Sequence, residues 1–464
     1  MRHLLPCFVA GLMPVSLAAQ STIGVQEPVV LPVISPGEAD HATLAINDQG
    51  DVLVVWHSQT KVAGVPCRQV EGVLLPYQGG LQWEVPAGSG VLLLGDPALA
   101  LVDTVDTCTK PDVVSVGTNF MVTWPRGQAV GSGPDRLEVV MVEVLPGGIA
   151  SVLAPSPGEG YVADSNFEKG SGGGMPDLAR VGANTGALDR ALIAYGHESF
   201  ASGGGEFEFD LRLVHVDFSA GSPVFDGPHD LVTAVPVDDF PNGGPGGGKL
   251  VPDIVEHKNK RYVVAYESYF RAGHQGAVTK EGWMNVMNFQ FQTGSGITHL
   301  DDARYNAFDP SHRQRRPNLA TSLVDGDDGS VSLSWMEFPD GGVGDVNSWH
   351  AELNFSGGIT IQDLAYPNKP GRDDIHPTVL HADGLRLCFA SSEESGSYRM
   401  RSWVPGVTSE LFELPLMGTD PWRAATDLLD LGTGLPQSRL VPLSYEAVEP
   451  VSGVKRIYLI LYLV

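Results

Sequence analysis

The sequence predicts an all-β fold, a seven-bladed β-propeller built from four-stranded antiparallel blades. Three observations predict it. A short phrase recurs along the chain: Pro, a small polar residue, an apolar residue, a turn, then an apolar run ending in an aromatic. The chain carries 56 Gly and 34 Pro, which many short strands need for their turns. The last copy of the phrase lacks a fourth strand, and a segment of matching character stands at the opposite end of the chain.

The clearest copies run from Lys110-Pro111-Asp112-Val113 to Val122-Thr123-Trp124 and from Met175-Pro176-Asp177-Leu178 to Ile193-Ala194-Tyr195. Three more run from Val251-Pro252-Asp253-Ile254 to Tyr266, from Arg316-Pro317-Asn318-Leu319 to Trp335, and from His376-Pro377-Thr378-Val379 to Phe389. Weaker copies begin at Ala42 and Ala424. Blades therefore start near 42, 111, 176, 252, 317, 377 and 424. Proline cannot donate to a ladder, so it suits the first residue of each innermost strand. The second strand, as in Tyr262-Val263-Val264-Ala265-Tyr266, is apolar throughout and reads as buried on both faces. Third strands alternate (Arg136 to Val144, Leu211 to Phe218, Trp283 to Phe291, Ser348 to Phe355), and short fourth strands follow at Ile149 to Leu153, Ile359 to Leu364 and Leu411 to Leu414. Glu27-Pro28-Val29-Val30-Leu31-Pro32-Val33 resembles Glu410-Leu411-Phe412-Glu413-Leu414-Pro415-Leu416, so the N-terminal segment is expected to complete the last blade and close the ring.

Most starts lie farther apart than the ~40–50 residues of common propeller repeats. The surplus is read as rim loops on one face, among them Pro155 to Gly174, Ser199 to Glu206, Phe225 to Lys249, Arg271 to Glu281 and Asp301 to Arg315, and that face is the expected binding face.

Residues 1–19 read as a signal peptide: a basic start, an apolar stretch from Leu4 to Leu17, then Ala18-Ala19. Residues 20–464 are expected to form one propeller domain, secreted or periplasmic. The net charge of -26 argues against nucleic acid, and no segment is long and apolar enough for membrane insertion. No cofactor motif is present: the Gly-rich strings 170–174 and 243–248 precede strands, and Asp325 to Gly329 has Met336 where a calcium loop needs its glutamate. Beyond Cys7, the cysteines are Cys67, Cys108 and Cys388; Cys67 and Cys108 lie in adjacent repeats and are the candidate disulfide, while Cys388 reads as a buried thiol.

His376-Pro377-Thr378-Val379-Leu380-His381-Ala382-Asp383-Gly384-Leu385-Arg386-Leu387-Cys388-Phe389 resembles the TolB-type (WD40-like) repeat, and the other copies lack a serine before an Asp-Gly turn. The general pattern also resembles sialidase-like propellers, whose Asp-box is absent. The sialidase resemblance implies an arginine shortly before the Pro, a role assigned here to Arg315, two residues ahead of Pro317, with Arg271, Arg372 and Tyr266 as further members. Six blades are usual there, which counts against it. The TolB-like lyases imply propeller histidines around a divalent metal, for which His197, His274, His312 and His376 qualify.

From the residues themselves, acids recur where second strands end: Glu198, Glu267, Glu337, Glu393 and Glu446. Two carboxylates at suitable separation would serve glycoside hydrolysis; as repeat-equivalent positions they would instead bond backbone between blades. His312-Arg313-Gln314-Arg315-Arg316 is the dense basic cluster, suited to a carboxylate or sulfate through bidentate contacts. The leading expectation is a non-catalytic module that binds a protein or a glycan through Arg313, Arg315, Arg316, Arg271, Tyr269 and Trp422. The alternative is a carbohydrate-active hydrolase or lyase using Glu267, Glu337, Arg315 and His312.

Overall fold

The computed structural model describes residues 23–463 apart from 80–82, 86–89, 99–105, 129–134, 166, 168–174, 183–187, 200–206, 238–249, 259, 271–280, 306–311, 322–329, 340–344, 356–357, 364–365, 368, 383–384, 407–411, 415, 428 and 431–438. Among the described residues every regular element is a strand, and the strands form seven separate antiparallel sheets that follow one another along the chain as blades in a ring. The innermost strands are Ala39–Ile46, Asp112–Val116, Asp177–Arg180, Asp253–Lys258, Arg313–Thr321, Arg372–Ala382 and Thr419–Thr426. Ring closure is as the sequence predicts: Ile23–Val30 pairs with Lys455–Leu463, with Val29 opposite Leu459 and Val30 opposite Tyr458.

The apolar second strands have a direct physical cause. Each is covered by the neighbouring blade on either side, so the core is a series of blade-to-blade clusters rather than one central mass. Leu53 and Val55 of the first blade pack with Val122 and Trp124 of the second. Leu192 and Phe209 of the third blade pack with Tyr262 and Phe289 of the fourth. A small cluster joins the fifth and sixth blades, where Tyr366, Val379, Cys388, Ala390 and Trp403 meet Ala320.

Three expectations are corrected. Residues 224–237, read as part of a rim loop, form the outer strand of the third blade, paired along Phe207–Asp217. Likewise Tyr161–Asp164 is a strand on Arg136–Leu145, and Gly296–Tyr305 takes up the start of the 301–315 segment. Their mixed polar sequences hid them, because an outer strand faces solvent and needs no apolar run. Proline is also not the first residue of every inner strand. Pro317 and Pro377 lie inside strands, at bulges where the register slips between Arg315 and Asn318 and between Ile375 and Thr378. A bulge frees one residue from the ladder, which is where a residue without an N–H fits. Finally, Cys67 and Cys108 are both buried free thiols. Cys108 is packed with Trp124 and Leu94 between blades, whereas Cys67 opposes Thr60 in the outer part of a hairpin, so the two do not meet as a bridge.

Candidate functional site

The bulges build the site. In five of the seven blades the residue before the Pro or its Ala counterpart has positive φ: His41 at 54°, Lys110 at 46°, Arg316 at 52°, His376 at 50° and Arg423 at 40°. Such conformations cost about 1–3 kcal/mol each for non-glycine residues, so the surroundings must hold them. The preceding blade does this by accepting the bulged amide. His41 N–H donates to Glu446 Oε1 at 2.7 Å and Arg316 N–H to Glu267 Oε2 at 3.0 Å. Lys110 N–H donates to His57 Nδ1 at 2.9 Å, and His376 N–H points to Met336 Sδ at 2.9 Å.

These seven positions ring one mouth of the central channel. His41, Lys110, Met175, Arg316, His376 and Arg423, with Val251, line a cavity of about 190 Å³. The next layer is apolar, five prolines with Ala42 and Ala424. Below it come Thr43, Asp112, Asp177, Asp253, Asn318 and Thr378. Several of these latch one blade to the next: Asp112 accepts the Leu178 amide at 2.8 Å, Asp177 that of Ile254 at 2.7 Å, Asp253 that of Leu319 at 2.9 Å and Asn318 that of Val379 at 2.7 Å. Burial raises all three carboxyls, Asp112 to about 6, Asp253 to about 7 and Asp177 well above its ordinary value.

The mouth is electrically lopsided. Five consecutive blades, from the fifth round to the second, present nitrogen-bearing side chains, and the third and fourth present Met175 and Val251. Burial keeps the imidazoles neutral, with His41 pulled down to about 3 and His57 and His376 well below their usual value. Arg423 is engaged: its Nη1 donates to Asp40 Oδ1 at 2.7 Å and lies 3.7 Å from Glu446. Burial would raise Asp40, but hydrogen bonds with His41 and Glu446 and the charge of Arg423 hold it well below the carboxylate range. Arg316 differs. Among the described residues its guanidinium meets only the neutral ring of His376, and no carboxylate pairs with it. Burial, Arg423 and Arg315 outweigh Glu267 and pull it down to about 9.

Asp40, His41 and His57 hold ligand atoms within 4.8 Å of one another, the composition of a two-histidine, one-carboxylate metal set. Their hydrogen bonds do not fit a cation. The Lys110 amide takes the lone pair of His57 Nδ1, which puts the proton on Nε2, and Asp40 is already bonded to Arg423 and 3.8 Å from Lys455. His57 Nε2 is thereby a buried donor without a hydrogen-bond partner among the described residues.

The sequence-predicted residues are distributed unevenly. Arg316 lies in the mouth, and Arg315 sits beside it and stabilises the charged form of Glu267. Trp422 is partly buried with its ring 4.7 Å from that of His376. His312 and Glu337 are brought together, Nδ1 to Oε1 at 2.7 Å, with Glu337 also receiving Trp349 Nε1 at 2.5 Å. Tyr269 is buried within the fourth blade. Arg271, His274 and the side chains of Arg313 and Glu198 lie outside the described residues, as do the Gly-rich strings and 325–329. The four strand-end acids whose side chains are described are not equivalent, contrary to the repeat reading. Glu267 and Glu446 both follow the strand aromatic and cap bulged amides; Glu393 pairs across the strand with Tyr398, and Glu337 serves His312. Sequence reasoning missed Lys110, His41, His57 and Arg423. For Lys110, His41 and Arg423 the signal was available in the residue just before each phrase; His57 follows the aromatic Trp56, the place that Glu267 and Glu446 hold in their repeats.

No family model matches the chain, and no curated protein matches it in sequence. Solved structures are similar in form. A Dyadobacter fermentans protein of unknown function is 12% identical with TM-score 0.47, covering 96% of this chain and 100% of that one. A Penicillium chrysogenum alpha-L-arabinanase complexed with arabinobiose is 11% identical with TM-score 0.43, covering 79% and 95%. Trypanosoma rangeli sialidase in complex with the inhibitor DANA is 9% identical with TM-score 0.40; the match covers 95% of this chain and 58% of the sialidase.

Proposed function

We propose that the protein is an exported recognition module that binds an acidic glycan, taking the carboxylate of a sugar at the channel mouth. One observation carries the reading: Arg316 is a partly buried guanidinium in a cavity, with no carboxylate partner among the described residues. A desolvated cation left without an anion is unfavourable for the fold alone, and an anionic ligand group compensates it. A planar guanidinium suits a carboxylate through two parallel bonds. Trp422 beside the mouth offers a ring face for a sugar. Binding is favoured over acid–base chemistry because Glu267 and Glu446 are committed to backbone amides. Export rests on the N-terminal sequence alone.

A second reading has its own observation. His312 is oriented by the buried Glu337, the arrangement a general acid or base needs, so a hydrolase or lyase at this rim is the alternative. A glycan array of acidic and neutral oligosaccharides tests both. The proposal expects retention of carboxylate-bearing glycans by the native protein and loss by Arg316→Gln. Retention of neutral glycans alone contradicts it, and release of shortened or unsaturated products favours the second reading.

A further inference from the structure

Beside the mouth, the first blade carries a groove of about 610 Å³. One wall is the segment Ser35–Gly37, where the chain passes from the ring-closing strand to the first inner strand. The other is the hairpin of Val52–Val62 and Val65–Leu75, contributing Gln59, Lys61 and Arg68.

The groove is preformed. Ile34 and Ser35 amides both donate to the buried Glu71 carboxylate at 3.0 Å, and Arg456 Nη1 and Nη2 hold the carbonyls of Gly37 at 2.6 Å and Pro36 at 3.1 Å. Ser35 Oγ bonds the Gln59 carbonyl, which ties the two walls together. At Gly37 a Cβ would stand 2.2 Å from that same carbonyl oxygen, so a side chain there would force the walls apart. Its described lining residues include two exposed cations, Lys61 and Arg68, and no carboxylate, the nearest acid along the wall, Glu38, being bonded to Gln59 at 2.9 Å, on a protein of net charge -26.

Continuity with the mouth follows from register. Asp40 opposes His57, Ala39 opposes Ser58 and Gln59 opposes Arg68, so the groove lies two to four residues along the same strands from the first blade's side of the mouth, roughly 7–14 Å, with Arg316 across the channel on the fifth blade. We infer that this groove is a second subsite for the same ligand, taking a further acidic sugar of a chain whose end occupies the channel mouth. The inference rests on the mouth reading and deepens it: the ligand is an oligomer of acidic sugars rather than a single acid.

Calorimetry at low ionic strength with mannuronate and its linked trimer tests it, using the full chain and the variants Lys61→Gln/Arg68→Gln and Arg316→Gln. Both groove side chains are exposed, and thermal unfolding of the double variant checks that its fold is kept. The expected result is a trimer bound about tenfold more tightly than the monomer by the native protein, with that ratio falling to about one in the groove variant. Arg316-dependent monomer binding with no trimer gain, or a gain that survives the groove variant, overturns the groove and leaves the mouth reading standing. Binding of neither sugar overturns both.

Discussion

Arg126 and Arg316 are two guanidiniums withdrawn from bulk water in different blades, and their partners differ completely. Arg126, 1% exposed, has Glu138 at 2.7 Å and reaches the carbonyls of Asp96 and Gly158 at 3.0 and 2.9 Å. Arg316 has the neutral His376 ring and an open channel. The first arrangement is complete without any ligand, and the second is completed by one. That difference separates an arginine that holds the blade together from one placed for recognition.

The largest expected effect tests this separation through stability. Arg126→Met leaves Glu138 buried without its cation and is expected to cost about 3–5 kcal/mol. Arg316→Gln is expected to change stability by less than about 1 kcal/mol, since Glu267, the buried carboxylate that feels its charge, keeps the charge of Arg315 and the amide of residue 316. Denaturant midpoints measure both, and equal losses would erase the contrast.

A smaller effect sharpens it from the acidic side. Asp112, Asp177 and Asp253 lie in the channel with no cation paired to them among the described residues, and burial raises their folded-state values to about 6, well above ordinary, and about 7 respectively. Because the unfolded chain releases these protons near pH 4, the folded state binds more protons between pH 4 and 7. This contribution therefore falls as pH rises through that window, where Asp112 and Asp253 lose their protons. Asp177→Asn, which keeps an acceptor for the Ile254 amide without a titrating proton, is expected to flatten the dependence and stabilise the protein at pH 7. Thermal unfolding across pH 4–8 checks this, and an unchanged slope in the variant contradicts it.

Much of the architecture was legible because it is written in apolar pattern. Val264 and Leu333 sit in runs that only a strand covered on both faces requires, and the missing last strand was recognisable from its likeness to the segment around Val29. Outer strands such as Val224–Val237 were not, since solvent-facing strands carry no such pattern. The site was legible in part. Arg316 stood out in a basic cluster, but its partner set does not come from that cluster. His376, Arg423, His41 and Lys110 come from other blades, converging because each occupies the same bulge in its repeat. Glu267 illustrates the opposite outcome: it looked catalytic by position and is occupied by a backbone amide.

The central claim is that the cavity around Arg316 binds a carboxylate. Calorimetric titration of the native protein and Arg316→Gln with mannuronate and with neutral mannose tests it most directly. The account predicts binding of mannuronate but not mannose, weakened about thirtyfold in the variant, which is the loss of about 2 kcal/mol from one charge-assisted pair. Equal binding of the two sugars, or mannuronate binding undiminished by Arg316→Gln, would contradict it.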